Sequence, residues 1–387
     1  MKKLLYLRVL RAILGGTYVI FKILYLMTRL YLFVVTIVIS AFSAGAYDKE
    51  YYDASAFPVY GKSDDNTLSR YERLPSECET VSRPALWRLG RNSAGLYIRF
   101  RSNSTSISVR WTSRYGTKMN HMCDTGIRGL DLYALYEGDW RFAGSARPEG
   151  MTSDVVVVKN MDGEYREYML YLSLYDGVTS LEIGVDEGAE IGQPQVDSPA
   201  SDRPVVAYGT SILQGGCVSR AGMAHTAVLG RAIDREVINL GFSGNALLDY
   251  EIAELMASVP DPALYILDYV PNARAEMIDE KAERFFRIIR DAHPDVPVVF
   301  VEDPDFTHTV FDSAIREEVK SKNEAQRRLF ERLVDMGEKN VYYVRSEGMI
   351  GEDGEATVDG IHFTDLGSER YVRHILPVVK KALRRSL

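Results

Sequence analysis

At 387 residues the chain is longer than one comfortable hydrophobic core, and its 46% hydrophobic and 26% charged residues exclude wholesale disorder. A formal net charge of −8 excludes the basic surface that a nucleic-acid partner needs. Cys78, Cys123 and Cys217, an odd set with no CxxC spacing, exclude a disulfide framework and suggest no zinc site; they leave room for one disulfide at most, and buried free thiols are the simpler expectation.

Residues 1–46 carry Lys2, Lys3, Arg8, Arg11, Lys22 and Arg29 and no acid, around two apolar runs. Within them Met27 to Ala46, "MTRLYLFVVTIVISAFSAGA", has a basic start, an apolar stretch and a small-residue end in which Ala44 and Ala46 suit signal cleavage. Neither run gives the ~20 uninterrupted apolar residues of a spanning helix. The segment reads as an export signal or, uncleaved, as an anchor that would be the chain's one route to a membrane. Either places the remainder, now at −14, in the periplasm, at the cell surface or outside the cell.

Residues 47–195 are expected to form one domain, with a two-fold pattern between about Leu86 and Val185. "GLYIRF", "SISVRW", "GLDLYALYE", "DVVVVKN", "EYMLYLSLY" and "SLEIGV" are short, rich in β-branched and aromatic residues, and separated by Gly, Asp, Asn and Ser. Such spacing without a long helical period predicts an antiparallel, jelly-roll-like β-sandwich. "GQPQVDSPASDRP" (Gly192 to Pro204) then reads as a linker.

From residue 196 to 387 the rhythm changes. Apolar strands are predicted at Val205–Tyr208, Val237–Leu240, Leu264–Asp268, Val298–Glu302 and Val341–Val344, alternating with helical stretches such as "DEKAERFFRIIRDA" and "AIREEVKSKNEAQRRLFERLVDMG". Alternation of this kind predicts a parallel sheet covered by helices on both faces, with ligands gathering at the carboxyl ends of its strands.

Ser211, in "VVAYGTSILQGG", lies just beyond the first of these strands. A serine hydroxyl is a poor nucleophile until a base takes its proton. Of six histidines, His121 falls in the sandwich, His293 in a helix-ending "HPD" and His374 within the last helix, all positions that suggest structure. His362 differs: in "VDGIHFTDLG" Asp359 precedes it by three residues on a polar loop, a spacing that lets the carboxylate reach the far ring nitrogen and fix the tautomer. The alternative for that loop is an Asx turn with no chemistry. Donors for an oxyanion are offered by Gly244 in "NLGFSGNA" and Asn272 in "LDYVPNA", each after a predicted strand. Arg220 and His225, in the segment after Ser211, are candidates to line a substrate pocket, with a capping or surface role as the alternative. Asp268 and Glu302 end strands at the same edge, but nothing fixes their separation, so neither metal nor cofactor is expected.

Taken in order, "GTSILQGG", "NLGFSGN", "DYVPNA" and "DGIH" resemble the consecutive blocks of the SGNH, or GDSL-like, hydrolases, over Val205 to about Leu383. The resemblance implies a flavodoxin-like three-layer α/β/α fold, with Ser211 as nucleophile, His362 as base and Asp359 as its orienter. It also implies an oxyanion hole made by the N–H groups of Ser211 and Gly244 with the Asn272 side chain. Thr210 stands where the family usually has aspartate, and the third block lacks the commonest Gly-x-Asn-Asp form. "RGLDLYALYEG" resembles the GxDLY element of N-terminal β-sandwich domains that precede some secreted bacterial SGNH esterases. The expected activity is cofactor-free hydrolysis of carboxylic esters, short acyl groups on carbohydrate foremost. The alternatives are a lysophospholipase or thioesterase of the same fold, and a carbohydrate-binding module without turnover.

Overall fold

The structure, a computed structural model, describes residues 22, 24–31 and 48–384. Residues 22 and 24–31 are helical, and the rest of the expected export segment lies outside the described residues. No helix among the described residues is long and apolar enough to cross a membrane.

Lys49–Leu387 forms one compact unit that contains both expected sheet systems. The first system is two antiparallel sheets. One has the order β1 (Lys49–Asp53), β9 (Val178–Asp186), β4 (Ile107–Ser113), β7 (Thr152–Val158). The other has the order β10 (Ile191–Gly192), β3 (Tyr97–Ser102), β8 (Arg166–Tyr171), β5 (Leu130–Tyr136), β6 (Asp139–Ala146), with β2 (Val59–Tyr60) paired to β3. Alternate residues of both sheets, among them Ile98, Phe100, Val109, Trp111, Leu132, Leu170 and Ile183, meet in a shared core. β1, β2, β6 and β10 are absent from the sequence reading. All but β2 end a sheet, and β2 is a two-residue pairing on the flank of β3. An edge strand half open to solvent carries no apolar alternation to betray it, as the mostly polar or part-exposed β6 shows.

The second system is a five-stranded parallel sheet in the order β12 (Val237–Gly241), β11 (Val205–Gly209), β13 (Leu264–Asp268), β14 (Val298–Val301), β15 (Val341–Val344). Counted from β11, this is the 2-1-3-4-5 order of flavodoxin-like folds. Strand side chains alternate between two cores. Val206, Tyr208, Leu240, Tyr265 and Phe300 pack against the helices Tyr250–Ser258, Ala275–Ala292 and Ser313–Asp335. Val205, Ala207, Ile266, Val299 and Val344 pack against His225–Ile233 and Asp365–Leu383. In Ala275–Ala292 the buried Ile278, Ala282, Phe285, Phe286 and Ile289 follow the helical period, which is why the segment is a helix against this face. The Asp312 carboxylate starts Ser313–Asp335 by accepting the Ala314 and Ile315 N–H groups.

The two systems interlock. Leu74, Cys78, Leu86 and Trp87, upstream of the antiparallel sheets' main strands, belong to the core beneath the parallel sheet. Arg73, 1% exposed, donates from Nη1 to the carbonyls of Asn239 (3.0 Å) and Gly241 (2.8 Å) at the end of β12, and from Nε and Nη2 to those of Asn92 and Leu89.

Candidate active site

Register explains how distant segments meet. Gly209 of β11 is level with Gly241 of β12 and with Asp268 of β13, so Ser211, Gly244 and Asn272 lie two, three and four residues beyond one line across the sheet. All three emerge at the carboxyl edge, where such sheets place their ligands.

Ser211 opens a single helical turn, Ser211–Gln214. Thr210 caps it, its hydroxyl accepting the Ile212 N–H at 3.3 Å. Threonine and aspartate are both N-cap residues, so the start of this turn does not require an aspartate at position 210. Gly215, at φ +108°, closes the turn in the left-handed region. Gly216 is needed for space: a Cβ there would lie 2.6 Å from Tyr175 Oη and 3.3 Å from His362 Cδ2.

His362 arrives on the loop between β15 and the Asp365–Leu383 helix. Asp359 folds that loop, Oδ1 accepting the N–H groups of Ile361 (3.1 Å) and His362 (2.8 Å). Its Oδ2 lies 2.7 Å from His362 Nδ1, and His362 Nε2 lies 2.8 Å from Ser211 Oγ. The Asx turn and the chemical spacing, alternatives at the level of sequence, therefore coexist. Partial burial pushes the Asp359 carboxyl up, but the His362 N–H, the His362 ring and the Ile361 N–H together hold it below its ordinary value. An ionised carboxylate on Nδ1 favours the tautomer that presents a lone pair at Nε2 towards the serine.

The Gly244 and Asn272 loops are joined by a hydrogen bond from the Ala246 N–H to Asn272 Oδ1 at 3.3 Å, which leaves the Asn272 Nδ2 group as the donor. Gly244 sits at φ +67° with nothing within 4 Å of a notional Cβ. Gln214 ties this loop to the serine turn, its Oε1 accepting the Ser243 N–H at 3.0 Å.

Arg220 and His225 have structural partners. Arg220 Nη1 donates to Asp131 Oδ2 (2.8 Å) and to Tyr133 Oη (2.7 Å), and the guanidinium lies 3.9 Å from the Phe142 ring centroid. Asp131 Oδ2 also accepts the Gly222 N–H at 2.9 Å. The GxDLY element thus staples β5 to the segment that follows the serine turn. His225 is buried, 4.5 Å from the Tyr371 ring, with Nε2 3.9 Å from Asp268 Oδ2. Burial pushes the imidazole down to about 3 and the Asp268 carboxyl up to about 8, so both are neutral around neutral pH. Asp268 accepts the Tyr371 hydroxyl at 2.8 Å, and Glu302 is occupied by Arg327, Tyr343 and the Ser346 N–H.

Sequence reasoning missed Tyr175 and His121. Tyr175, buried just past β8, donates its hydroxyl to the Ser211 carbonyl at 3.1 Å. The His121 ring centroid lies 5.8 Å from that of His362. Both come from the antiparallel system, and no local pattern marks a residue that reaches a site from another sheet. Tyr175 also lines a pocket of about 350 Å³ with Arg88, Tyr115, Met119, Ser243 and Asn245. Among the described residues, His121, Cys217, Asp359 and His362 are the side chains grouped closely enough to hold a metal ion.

Residues 202–380 match the GDSL-like lipase/acylhydrolase family, and residues 49–191 match the GxDLY N-terminus of SGNH-type esterases. A solved structure of a GDSL-like lipase from Bacteroides ovatus is similar at 35% identity and a TM-score of 0.83, over 87% of this chain and 98% of that one. The chain belongs to the GDSL-like lipase/acylhydrolase family. Its enzyme class is that of an SGNH esterase. A salicylyl-acyltransferase from a tetracycline biosynthetic pathway (17% identity, TM-score 0.69, 87% of this chain and 99% of that one) shares the fold. So does a family two carbohydrate esterase from Cellvibrio japonicus (13%, TM-score 0.57, 87% and 99%). Among curated proteins none matches the chain.

Proposed function

We propose that the protein is a serine esterase that removes short acyl groups, acetyl foremost, from carbohydrate outside the cytoplasm. The observation that carries this is the hydrogen-bonded series Ser211 Oγ, His362, Asp359, with links of 2.8 and 2.7 Å. In this reading His362 Nε2 takes the serine proton as Oγ attacks the ester carbonyl. Asp359 stabilises the imidazolium that forms, and the N–H groups of Ser211 and Gly244 with Asn272 Nδ2 hold the oxyanion. The imidazolium then protonates the departing alcohol, and water repeats the sequence to free the acid.

The substrate class is supported by space beside the series, in the pocket that Tyr175 and Ser243 line and whose walls include neither Ser211 nor His362. A pocket of about 350 Å³ is near the lower end of small-molecule sites, roughly 300–1,000 Å³. It suits a sugar ring against Tyr115 and Tyr175 better than a long acyl chain. The carbohydrate esterase of the same fold points the same way, and the expected export segment fits a polymer met outside the cell. The test is product analysis on acetylated oligosaccharides, short aryl esters, thioesters and lysolipids, beside Ser211→Ala. Acetate release from the glycan panel, lost by several orders of magnitude in the variant, is the expected result. Undiminished turnover by Ser211→Ala would sink the mechanism; no fluorophosphonate labelling at Ser211 would favour a binding module.

A further inference from the structure

The imidazole that serves as base has three neighbours that a general base does not need so close together. One ligating atom from each of His121, Cys217, Asp359 and His362 lies within 4.8 Å of all the others. They come from three separate segments: the loop after β4, the residue after Gly216, and the loop that ends in His362. Two imidazoles, a thiol and a carboxylate are each donors that zinc accepts. With zinc–nitrogen and zinc–oxygen bonds of about 2.0–2.2 Å and a zinc–sulfur bond of about 2.3 Å, tetrahedral ligand atoms sit roughly 3.3–3.8 Å apart. The span here exceeds that by about an ångström, within reach of side-chain rotation. His121 and His362 are half-buried, Asp359 is exposed and Cys217 is buried, so the cluster has an open side and a floor.

We propose that these four residues bind a divalent transition-metal ion of zinc-like softness, and that the ion switches the esterase off. Binding forms bonds to the two imidazoles, the carboxylate and the Cys217 sulfur, whose proton passes to solvent. A neutral imidazole has one unprotonated nitrogen lone pair. Once the metal occupies it, through either Nδ1 or Nε2, no base remains for the Ser211 proton. Taking the Asp359 carboxylate removes the orienting partner as well. The ion is an inhibitor and plays no part in turnover. The inhibitory half of this inference rests on His362 acting as the base, as proposed above; the metal site itself does not.

The experiment titrates Zn²⁺ against p-nitrophenyl acetate hydrolysis by the full chain with thiols kept reduced, for wild type, Cys217→Ser and His121→Asn. Wild type is expected to lose activity and regain it with a chelator. Each variant, referred to its own metal-free rate, is expected to need at least ten-fold more Zn²⁺ for half inhibition. In parallel, Co²⁺ is expected to bind one equivalent with a thiolate-to-metal charge-transfer band that Cys217→Ser lacks. Zinc sensitivity unchanged in both variants, or a cobalt spectrum with no thiolate band, overturns the proposal. His121→Asn, altering a half-buried loop side chain, keeps the test decisive should Cys217→Ser fold poorly. A wild-type chain with the cobalt band but no esterase activity would sink the esterase reading and leave the metal site standing.

Discussion

A single methyl group at Gly216 tests whether the catalytic geometry is held by close packing. In Gly216→Ala the new Cβ would lie 2.6 Å from Tyr175 Oη, 3.2 Å from the Ser211 carbonyl oxygen and 3.3 Å from His362 Cδ2. Ordinary contact is about 3.5 Å or more, so the first overlap is close to an ångström. The Tyr175 hydroxyl is buried and committed to the Ser211 carbonyl, which also accepts the Gly216 N–H at 2.8 Å. The hydroxyl must yield, or the 215–217 backbone must recoil and carry the serine turn with it. Overpacking of this kind costs about 1–3 kcal/mol of stability. Displacing the serine or the imidazole by a good part of an ångström costs about 10- to 100-fold in kcat. The assay is steady-state hydrolysis of p-nitrophenyl acetate together with a thermal melt. Tyr175→Phe in the same background removes the clashing oxygen and is expected to restore much of the loss, whereas Tyr175→Phe alone costs about 1 kcal/mol and little activity. Wild-type kcat, KM and Tm in Gly216→Ala would refute the reasoning.

Three further outcomes are expected. Asn272→Ala should lower kcat about 10²–10³-fold with little change in KM, read on the same ester, because the proposed oxyanion hole loses a donor. Asp131→Ala should cost about 3 kcal/mol in urea denaturation, the low end for breaking a buried pair because Arg220 keeps some solvent contact, and should lower kcat by loosening the segment after the serine turn. Asp268 is raised in the folded state to about 8, so the unfolded chain ionises first and wild-type stability falls as pH rises from the ordinary carboxylate range to about 8. Asp268→Asn still accepts the Tyr371 hydroxyl but cannot ionise. At about 1.4 kcal/mol per pH unit, its stability advantage over wild type should widen by about 4 kcal/mol between about pH 5 and about pH 8, as thermal melts would show.

The parallel sheet was legible because buried strands and amphipathic helices write their periods into the chain. Val205–Gly209, Val237–Gly241 and Leu264–Asp268 start at the residues expected of them. The serine, the histidine and its aspartate could be picked out because each follows a strand or precedes a helix, positions that a periodic pattern locates. Edge strands such as β1 and β6 escaped because solvent on one side erases alternation. His121 and Tyr175 escaped for another reason: each reaches the site from the antiparallel system, and nothing local to "KMNHMC" or "SLYDG" encodes that meeting. Sequence adjacency to Ser211 made Arg220 and His225 candidates for a pocket. Adjacency does not say which way a side chain turns, and the structure gives Arg220 a buried carboxylate partner and His225 a tilted ring contact with Tyr371.

Arg73 sets a limit on how this protein could be cut or recombined. Among the described residues no carboxylate pairs with its guanidinium; burial lowers its pKa to about 9, and carbonyl oxygens at the mouth of β12 are among the groups that hold its charge. An excised hydrolase half would leave those oxygens bare beside the loop that carries Gly244. The segment that carries Arg73 is therefore expected to support the β12 edge, and a chimera that lacks it should melt at a lower temperature than the full chain.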